Sequence, residues 1–452
     1  MKQLITTTTL AVATALTTLS AQADPVYHPP GSNLTYGAVS NGQSIMSDIT
    51  NPAAGAAVLQ KDGNQYRLGI PGSIGAGIEF GQVDGLYDRI NAEADKFQFS
   101  QTISNTSSAS AAVAEVDAAV ASLNTILADV ETNGYTKVFG SINIPLVIAH
   151  KGLGGSLAFD VNKSFVTRAT ALHETVTFNS AAALAGTDDP TDDVVVTFNG
   201  SGVPTGYTFD NDSSALIKAG LVTDLSLGYS RPLMKAQAAT LYAGARAHYY
   251  TVEQSRTAIR MTNLTDVQTQ FENALDQSRN SESAMGLDVG VLWVSEHYRA
   301  GATLANVNEP SFDAATIDLT GYDLAGTVAQ ELAADNKYTM EKQLQLEAAL
   351  YTASQNWVIS GGFDANAVKD VLGDEYRWAT VSAAYATDTW WLPGIRAGIR
   401  KNLAGSKVNY LSVGTTLAMV NLDLAWSSDK VTIDGSTVPR GAIFNLGLEL
   451  SF

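Results

Sequence analysis

Residues 442–452 read AIFNLGLELSF, with Phe444, Leu446, Leu448, Leu450 and Phe452 on one face and Asn445, Gly447, Glu449 and Ser451 on the other. Strict alternation of this kind is the signature of a strand between two different environments. It recurs along the chain. Val420, Leu422, Leu424 and Trp426 oppose Asn421 and Asp423. Leu344, Leu346 and Leu350 oppose Gln343, Gln345 and Glu347. Met285, Leu287, Val289 and Val291 oppose Gly286, Asp288 and Gly290, and Leu225, Leu227 and Tyr229 oppose Asp224, Ser226 and Gly228. Leu241, Ala243, Ala245 and Ala247 oppose Tyr242, Gly244, Arg246 and His248, and Ile395, Ala397 and Ile399 oppose Arg396, Gly398 and Arg400. In each of these strands the charge lies opposite the apolar face. A barrel wall in lipid requires that, because Arg or Lys on the lipid face near the midplane costs about 2–4 kcal/mol. It also requires closure, since an open edge in hydrocarbon leaves backbone groups unpaired.

The pattern predicts strands near 66–82, 135–149, 152–166, 216–231, 239–253, 283–296, 297–307, 338–353, 355–367, 375–387, 393–402, 407–417, 419–429 and 441–452. The fold expected is an all-β membrane protein, an outer-membrane antiparallel β-barrel of about fourteen strands. Tyr229, Tyr249–Tyr250, Trp293, Trp390–Trp391 and Trp426, near strand ends, fit interfacial girdles. The stretches 83–134, 167–215, 254–282 and 308–337 are expected to be loops, or strand extensions above the membrane. Within 83–134, Val113, Val116, Val120, Leu123, Leu127 and Val130 follow a three-four spacing, the mark of an amphipathic helix. Asn133-Gly134 ends it. It is expected to pack on the barrel mouth, on a partner, or on an earlier helix around 84–98, with packing within this protein as the default. The loop 167–215 carries Asp188, Asp189, Asp192 and Asp193, which read as a solvated acidic loop; their spacing does not match an EF-hand.

Composition narrows the class. Only 16% of residues are charged, against about 25% in average soluble proteins, yet mean hydropathy is close to zero. Alternation explains both, since apolar and polar residues are averaged along each strand but separated by face. The formal net charge of -18 argues against nucleic acid as a partner. With no Cys, disulfides, thiolate metal sites, Cys nucleophiles and a lipidated Cys are all excluded. Residues 1–23 read as a signal peptide: Lys2, a Leu/Ala/Val/Thr core, and Ala21-Gln22-Ala23 as cleavage site. Beyond it, no segment is expected to cross a bilayer as a helix. These features predict the outer membrane of a Gram-negative bacterium. The expected partners are outer-membrane lipid and the barrel-assembly machinery, with a terminal Phe452 resembling the insertion signal of bacterial barrels.

Residues 32–59 read SNLTYGAVSNGQSIMSDITNPAAGAAVL. The Gly-rich run into Asn51-Pro52-Ala53 resembles the hatch of the outer-membrane long-chain fatty-acid transporter family, where an N-terminal segment folds into the lumen ahead of fourteen strands. Residues 27–54, 392–417 and 421–452 resemble more closely a related group, the plasmid conjugal transfer TraF-type outer-membrane proteins. The resemblance covers both ends of the chain better than the loops. It implies an N-terminal plug at 24–60, after the signal peptide read at 1–23, and a transmembrane barrel at 61–452, within which lies the helical insertion read at 83–134. It also implies a channel for small, hydrophobic molecules gated by that plug, with a link to conjugal transfer. The alternative is a structural barrel displaying loops for cell contact or the conjugation machinery.

Candidate chemistry is sparse. His28, His150, His173, His248 and His297 lie in no HExxH motif, and there is no GxSxG or P-loop. No enzyme activity, cofactor or metal is therefore expected. Gly152-Leu153-Gly154-Gly155 reads as a hairpin turn. Asp224, Arg246, Asp288, Glu347, Arg396, Arg400, Asp423 and Glu449 are expected to face the lumen. Mixed charge there is expected to pair within itself or with the plug, because buried unpaired charge is costly.

Overall fold

The computed structural model describes residues 31–35, 42, 44–57, 65–82, 100–260, 279–334, 337–385, 392–433 and 436–451. The signal-peptide reading of 1–23, the helix expected at 84–98, Trp390–Trp391 and Phe452 fall outside these residues.

Period-two alternation becomes fourteen antiparallel strands. They are β1 (Gln65–Gly69 and Ser73–Phe80, in two segments), β2 (Tyr135–His150), β3 (Gly155–Leu172), β4 (Ser214–Lys235), β5 (Ala239–Arg260), β6 (Arg279–Ser295) and β7 (Tyr298–Ala305). Then follow β8 (Gln343–Tyr351), β9 (Trp357–Asp364), β10 (Trp378–Tyr385), β11 (Gly394–Asn402), β12 (Asn409–Leu417), β13 (Val420–Ser427) and β14 (Gly441–Ser451). Each pairs with its neighbour in sequence. β14 closes the barrel by pairing with β13 (Val420 opposite Leu448) and with β1 (Ile74 opposite Leu446). The ladder of β1 is interrupted at Ile70–Gly72, where Ile70 N donates to Leu448 O and Gly72 N to Asn143 O.

The apolar parity faces outward. Leu227 is 58% exposed and Phe444 43%, with Leu225, Val289, Leu346, Ile395, Ile399 and Leu424 in the same band. In water such a band would be an aggregation surface; around a closed barrel it is the lipid contact of an outer-membrane protein. One expectation fails: Tyr250 does not join a girdle. It shares inward parity with Arg246 and His248, is buried, stacks on His248 with ring centroids 5.1 Å apart, and donates to Asn306. Tyr249 faces out.

One end carries short turns. The Gly152–Gly155 run closes one through a 3-10 turn at Lys151–Leu153, with Gly154 at φ +61°. The other carries the long connections and is by that asymmetry extracellular. There β3–β6 run to 18, 22, 22 and 17 residues, well beyond the roughly 9–11 that a spanning strand needs. Among the helices α1 (Met46–Thr50), α2 (Ala109–Asn133), α3 (Ser180–Leu184) and α4 (Thr327–Ala334), α2 is the predicted amphipathic helix. Ser108 caps it by accepting from Ala111 N, and Gly134 follows its end. By length and composition α2 could cross a membrane. Instead it buries Ala112, Val116, Ala119 and Leu127 against Val176, Val194, Val196, Tyr207 and Phe209. Most of these partners belong to a three-stranded sheet (Ser100–Thr102, Val194–Phe198, Pro204–Phe209). The acidic loop braces this extracellular module: Asp188 accepts from Val196 N, Asp189 from Thr191, Asp192 from Asn179 N and Asp193 from Thr177.

Candidate functional site

The inward parity builds a polar lumen, and the N-terminal segment lies within it. Its links to the wall run through side chains rather than a ladder. Gly31 N donates to Ser73 Oγ (2.7 Å), Thr35 Oγ1 to Asp423 Oδ1 (2.7 Å) and Ala56 N to Ser230 Oγ (2.9 Å). Helix α1 is held at both ends. At its start, Glu449 of β14 accepts from Ser44 Oγ (2.8 Å) and Ile45 N (2.7 Å). At its end, Arg246 of β5, 2% exposed, donates to Asp48 O and Ile49 O. A carboxylate at the start and a guanidinium at the end match the helix dipole.

The Asn-Pro turn sits on a floor without side chains. Gly244 of β5 and Gly290 of β6 are directly opposite in register, with Ser230 opposite Gly244 on β4. A Cβ on Gly244 would lie 2.0 Å from Pro52 O, and one on Gly290 would lie 2.4 Å from Asn51 Oδ1. Asn51 Oδ1 accepts from Ala53 N (2.9 Å), fixing the turn, and its Nδ2 donates to Val291 O (3.3 Å). Ala53 is fully buried beside Tyr242 and Leu292. So Gly244 is required by the close approach of the Pro52 backbone, and Gly290 by that of the Asn51 and Pro52 side chains.

The eight charged residues divide into three groups. Asp224, Arg246 and Asp288 come together on β4–β6, where His248 Nδ1 lies 2.9 Å from Asp224 Oδ2 and Nε2 3.1 Å from Asp288 Oδ2. Asp288 also accepts from Asn306 N (2.7 Å). Across the lumen, Arg396 pairs with Asp423, which is fully buried, and donates to Thr416 Oγ1; Glu449 accepts from Asn421 Nδ2 (2.8 Å). Arg400 lies 4.8 Å over the Trp378 ring with Asp364 and Glu347 as acidic neighbours, remote from the first two groups.

Sequence reasoning passed over several interior residues. Asp160 of β3 joins the first group, buried with Oδ1 unpartnered. Glu79 of β1 accepts from Tyr135 (2.5 Å) and Tyr410 (3.0 Å). Lys137 of β2 reaches Asp370 (2.6 Å) and Asp374 (2.8 Å) in the connection between β9 and β10. Their parity within the predicted strands was the available signal; His248 lacked only its cross-strand neighbours. Above the N-terminal segment, two hairpins fold into the mouth, 311–313 with 337–339 and 368–369 with 375–376. Phe312, Tyr338, Met340, Val371, Leu372 and Tyr376 pack there against Phe139, Val222, Trp378 and Tyr410. The lumen is thus filled from both sides.

These features define a class, the fourteen-stranded outer-membrane β-barrel with its own N-terminal segment folded inside. The chain belongs to the family described as F plasmid transfer operon, TraF, protein, whose model matches residues 48–364. No curated protein matches it. Solved structures similar to it include the Ralstonia pickettii toluene transporter TbuX (12% identity, TM-score 0.40, 96% of this chain and 98% of that one). The Pseudomonas putida toluene transporter TodX is similar at 11% identity and TM-score 0.39, over 96% of this chain and 99% of that one. A Pseudomonas aeruginosa FadL homologue gives 10% and 0.38, over 95% and 99%. Likenesses this distant say nothing about what this chain carries.

Proposed function

We propose that this protein is a gated channel of the Gram-negative outer membrane, not an enzyme, and that residues 24–60 are its plug. The plug motif is Asn51-Pro52-Ala53, and the lumen charges Arg246, Asp423 and Glu449 are its latches. The observation that supports this best is the nature of the plug's attachment. Its backbone meets the wall through side-chain acceptors and donors and rests on bare glycines, so it can leave without breaking a strand ladder. A ligand enters at the extracellular mouth, displaces the plug, and passes down the lumen or out through the wall at the interrupted β1. Its class in this reading is a small, hydrophobic molecule, the class suited to the apolar packing at the mouth. Residues 1–23 direct export and are cleaved. Deleting 24–60 should raise conductance in planar bilayers and solute uptake into liposomes. No flux from either form would end the proposal.

A second reading rests on the extracellular module. The α2 sheet unit has its own core. As a display surface it would serve cell contact in conjugal transfer, the role the family's description points towards. Crosslinking from Glu115 or Asp117 in donor–recipient mixtures should then capture a partner, and monomer throughout would exclude it.

A further inference from the structure

A second polar site lies above the plug, on the extracellular reach of β3–β5. Arg168 on β3 is directly opposite Lys218 on β4, and Lys218 is directly opposite Arg256 on β5. All three share the inward face. Like charges directly opposite on adjacent strands destabilise a sheet. With strands about 4.8 Å apart, this row of three cations spans about 10 Å.

The row borders a cavity of about 470 Å³, which Gln254, Lys337 and Lys369 also line. Among the described lining residues two are acidic, Glu331 and Glu341, in a chain whose formal net charge is -18. Arg168 pairs with Asp374, which also neighbours Lys218; Lys218 Nζ lies 3.4 Å from Leu372 O, and Arg256 Nη1 and Nη2 lie 3.5 and 3.4 Å from Ala315 O and Leu332 O. Two further donors, Arg168 Nε and Gln254 Nε2, are buried without a hydrogen-bond partner among the described residues; Gln254 is 5% exposed. Buried donors left unmade are costly. Donors and cations converge on one space, and that chemistry selects an acceptor carrying negative charge.

We infer that this cavity is a binding site for a soluble organic anion bearing two or more carboxylate or phosphate groups. Facing the lumen, it is out of reach of lipid headgroups. Two oxyanion groups bridge the row, one near Arg256 and Gln254 and one near Lys218, with Lys337 and Lys369 closing the outer side. The site depends on the mouth and not on plug release, so its fate is separable from that of the channel proposal.

Isothermal titration of the detergent-solubilised full-length protein tests it, with citrate and inorganic pyrophosphate as probes and glycerol and toluene as controls. Saturable binding of citrate or pyrophosphate is expected, weakening with added NaCl and absent for glycerol. Lys218→Gln should weaken it about tenfold, the worth of one charge-assisted hydrogen bond. Lys369→Gln, on the rim and outside the barrel wall, should weaken it about threefold, a typical worth of an exposed charge pair. Heat-modifiable migration on a gel reports that each variant is folded; if Lys218→Gln is not, Lys369→Gln decides. No binding of either anion, affinity unchanged in the folded variants, or displacement of citrate by toluene would each overturn the inference.

Discussion

Gly244→Val separates the plug from the wall that holds it. The added Cβ would sit 2.0 Å from Pro52 O and 2.4 Å from Pro52 C. Ordinary contacts need about 3.5 Å, so the Asn-Pro turn must withdraw by about 1.5 Å. Both obstructing atoms are backbone, so no rotamer change relieves the clash. Overpacking of this kind costs about 1–3 kcal/mol, and all of it falls on the docked state. The wall itself gains, because Val suits a strand better than Gly does. The ratio of undocked to docked plug should therefore rise about 5- to 150-fold. The chain has no Cys, so Ser47→Cys, at a buried position of α1, gives a single thiol. Maleimide labelling of that thiol in the Gly244→Val background should accelerate by the same factor, with a parallel rise in bilayer conductance. Gly361→Val is the control, since its Cβ meets nothing nearer than Thr380 O at 3.6 Å. If labelling and conductance are the same in Gly244→Val, Gly361→Val and the parent, the plug is not held on that floor.

Glu449→Ala removes the acceptor of Ser44, Ile45 and Asn421 and should weaken docking by about 2–4 kcal/mol; unchanged Ser47→Cys labelling would refute this. Asp48 gives the plug a pH dependence. Burial, opposed by Arg67 and Arg246, pushes its carboxyl from 3.8 up to about 6, and neither oxygen has a hydrogen-bond partner among the described residues. A raised value means that the docked state binds the proton more tightly than the released one. Docking is then strongest below about pH 4 and loses about 3 kcal/mol as pH rises through about 6. Conductance should climb over that window and be flat in Asp48→Asn; a fall with rising pH would be contrary to the argument. Leu227→Arg places a charge on the outward face and should cost about 2–4 kcal/mol, read as a smaller heat-modifiable fraction in lipid. An equal fraction would mean that Leu227 does not face hydrocarbon.

The barrel was legible because lipid and lumen impose opposite demands on successive residues. Leu422 and Asp423, or Phe444 and Asn445, each record the side they face, so strand number and parity follow without knowledge of the neighbours. The helix at 109–133 was legible for the same reason at a different period. What alternation omits is the pairing register, and the site depends on register. Nothing local to Gly244 or Gly290 says that they adjoin, or that Pro52 rests on them. The partners of His248 lie 24 and 40 positions away on other strands. The cations at 168 and 256 fell in the stretches expected to be loops, since strands were expected to end near 166 and 253, while 218 stood near the start of the strand expected at 216–231. Above the membrane there is no lipid face to enforce apolar alternation, so those ends lose the pattern while keeping the ladder. The small extracellular sheet and the two mouth hairpins were missed on the same grounds.

That division between wall and interior has a mechanical consequence. The outward face is bound to its composition by lipid, and the ladder is bound to its register by closure. The inward side chains are bound by neither, and they carry both the contacts to the N-terminal segment and the cation row. A latch such as Glu449 can therefore change without cost to the barrel, provided that its partner is also satisfied. The plug in turn shows the cost of leaving a group unsatisfied: Asp48 carries a carboxyl with no donor into the lumen. A segment meant only to seal would place an apolar residue there. On the proposed gating, a docked carboxyl lowers the energy needed for release at neutral pH. Replacing Asp48 with Leu should hold the channel shut across the whole pH range, whereas a plug serving only as a seal would gain stability without any change in flux.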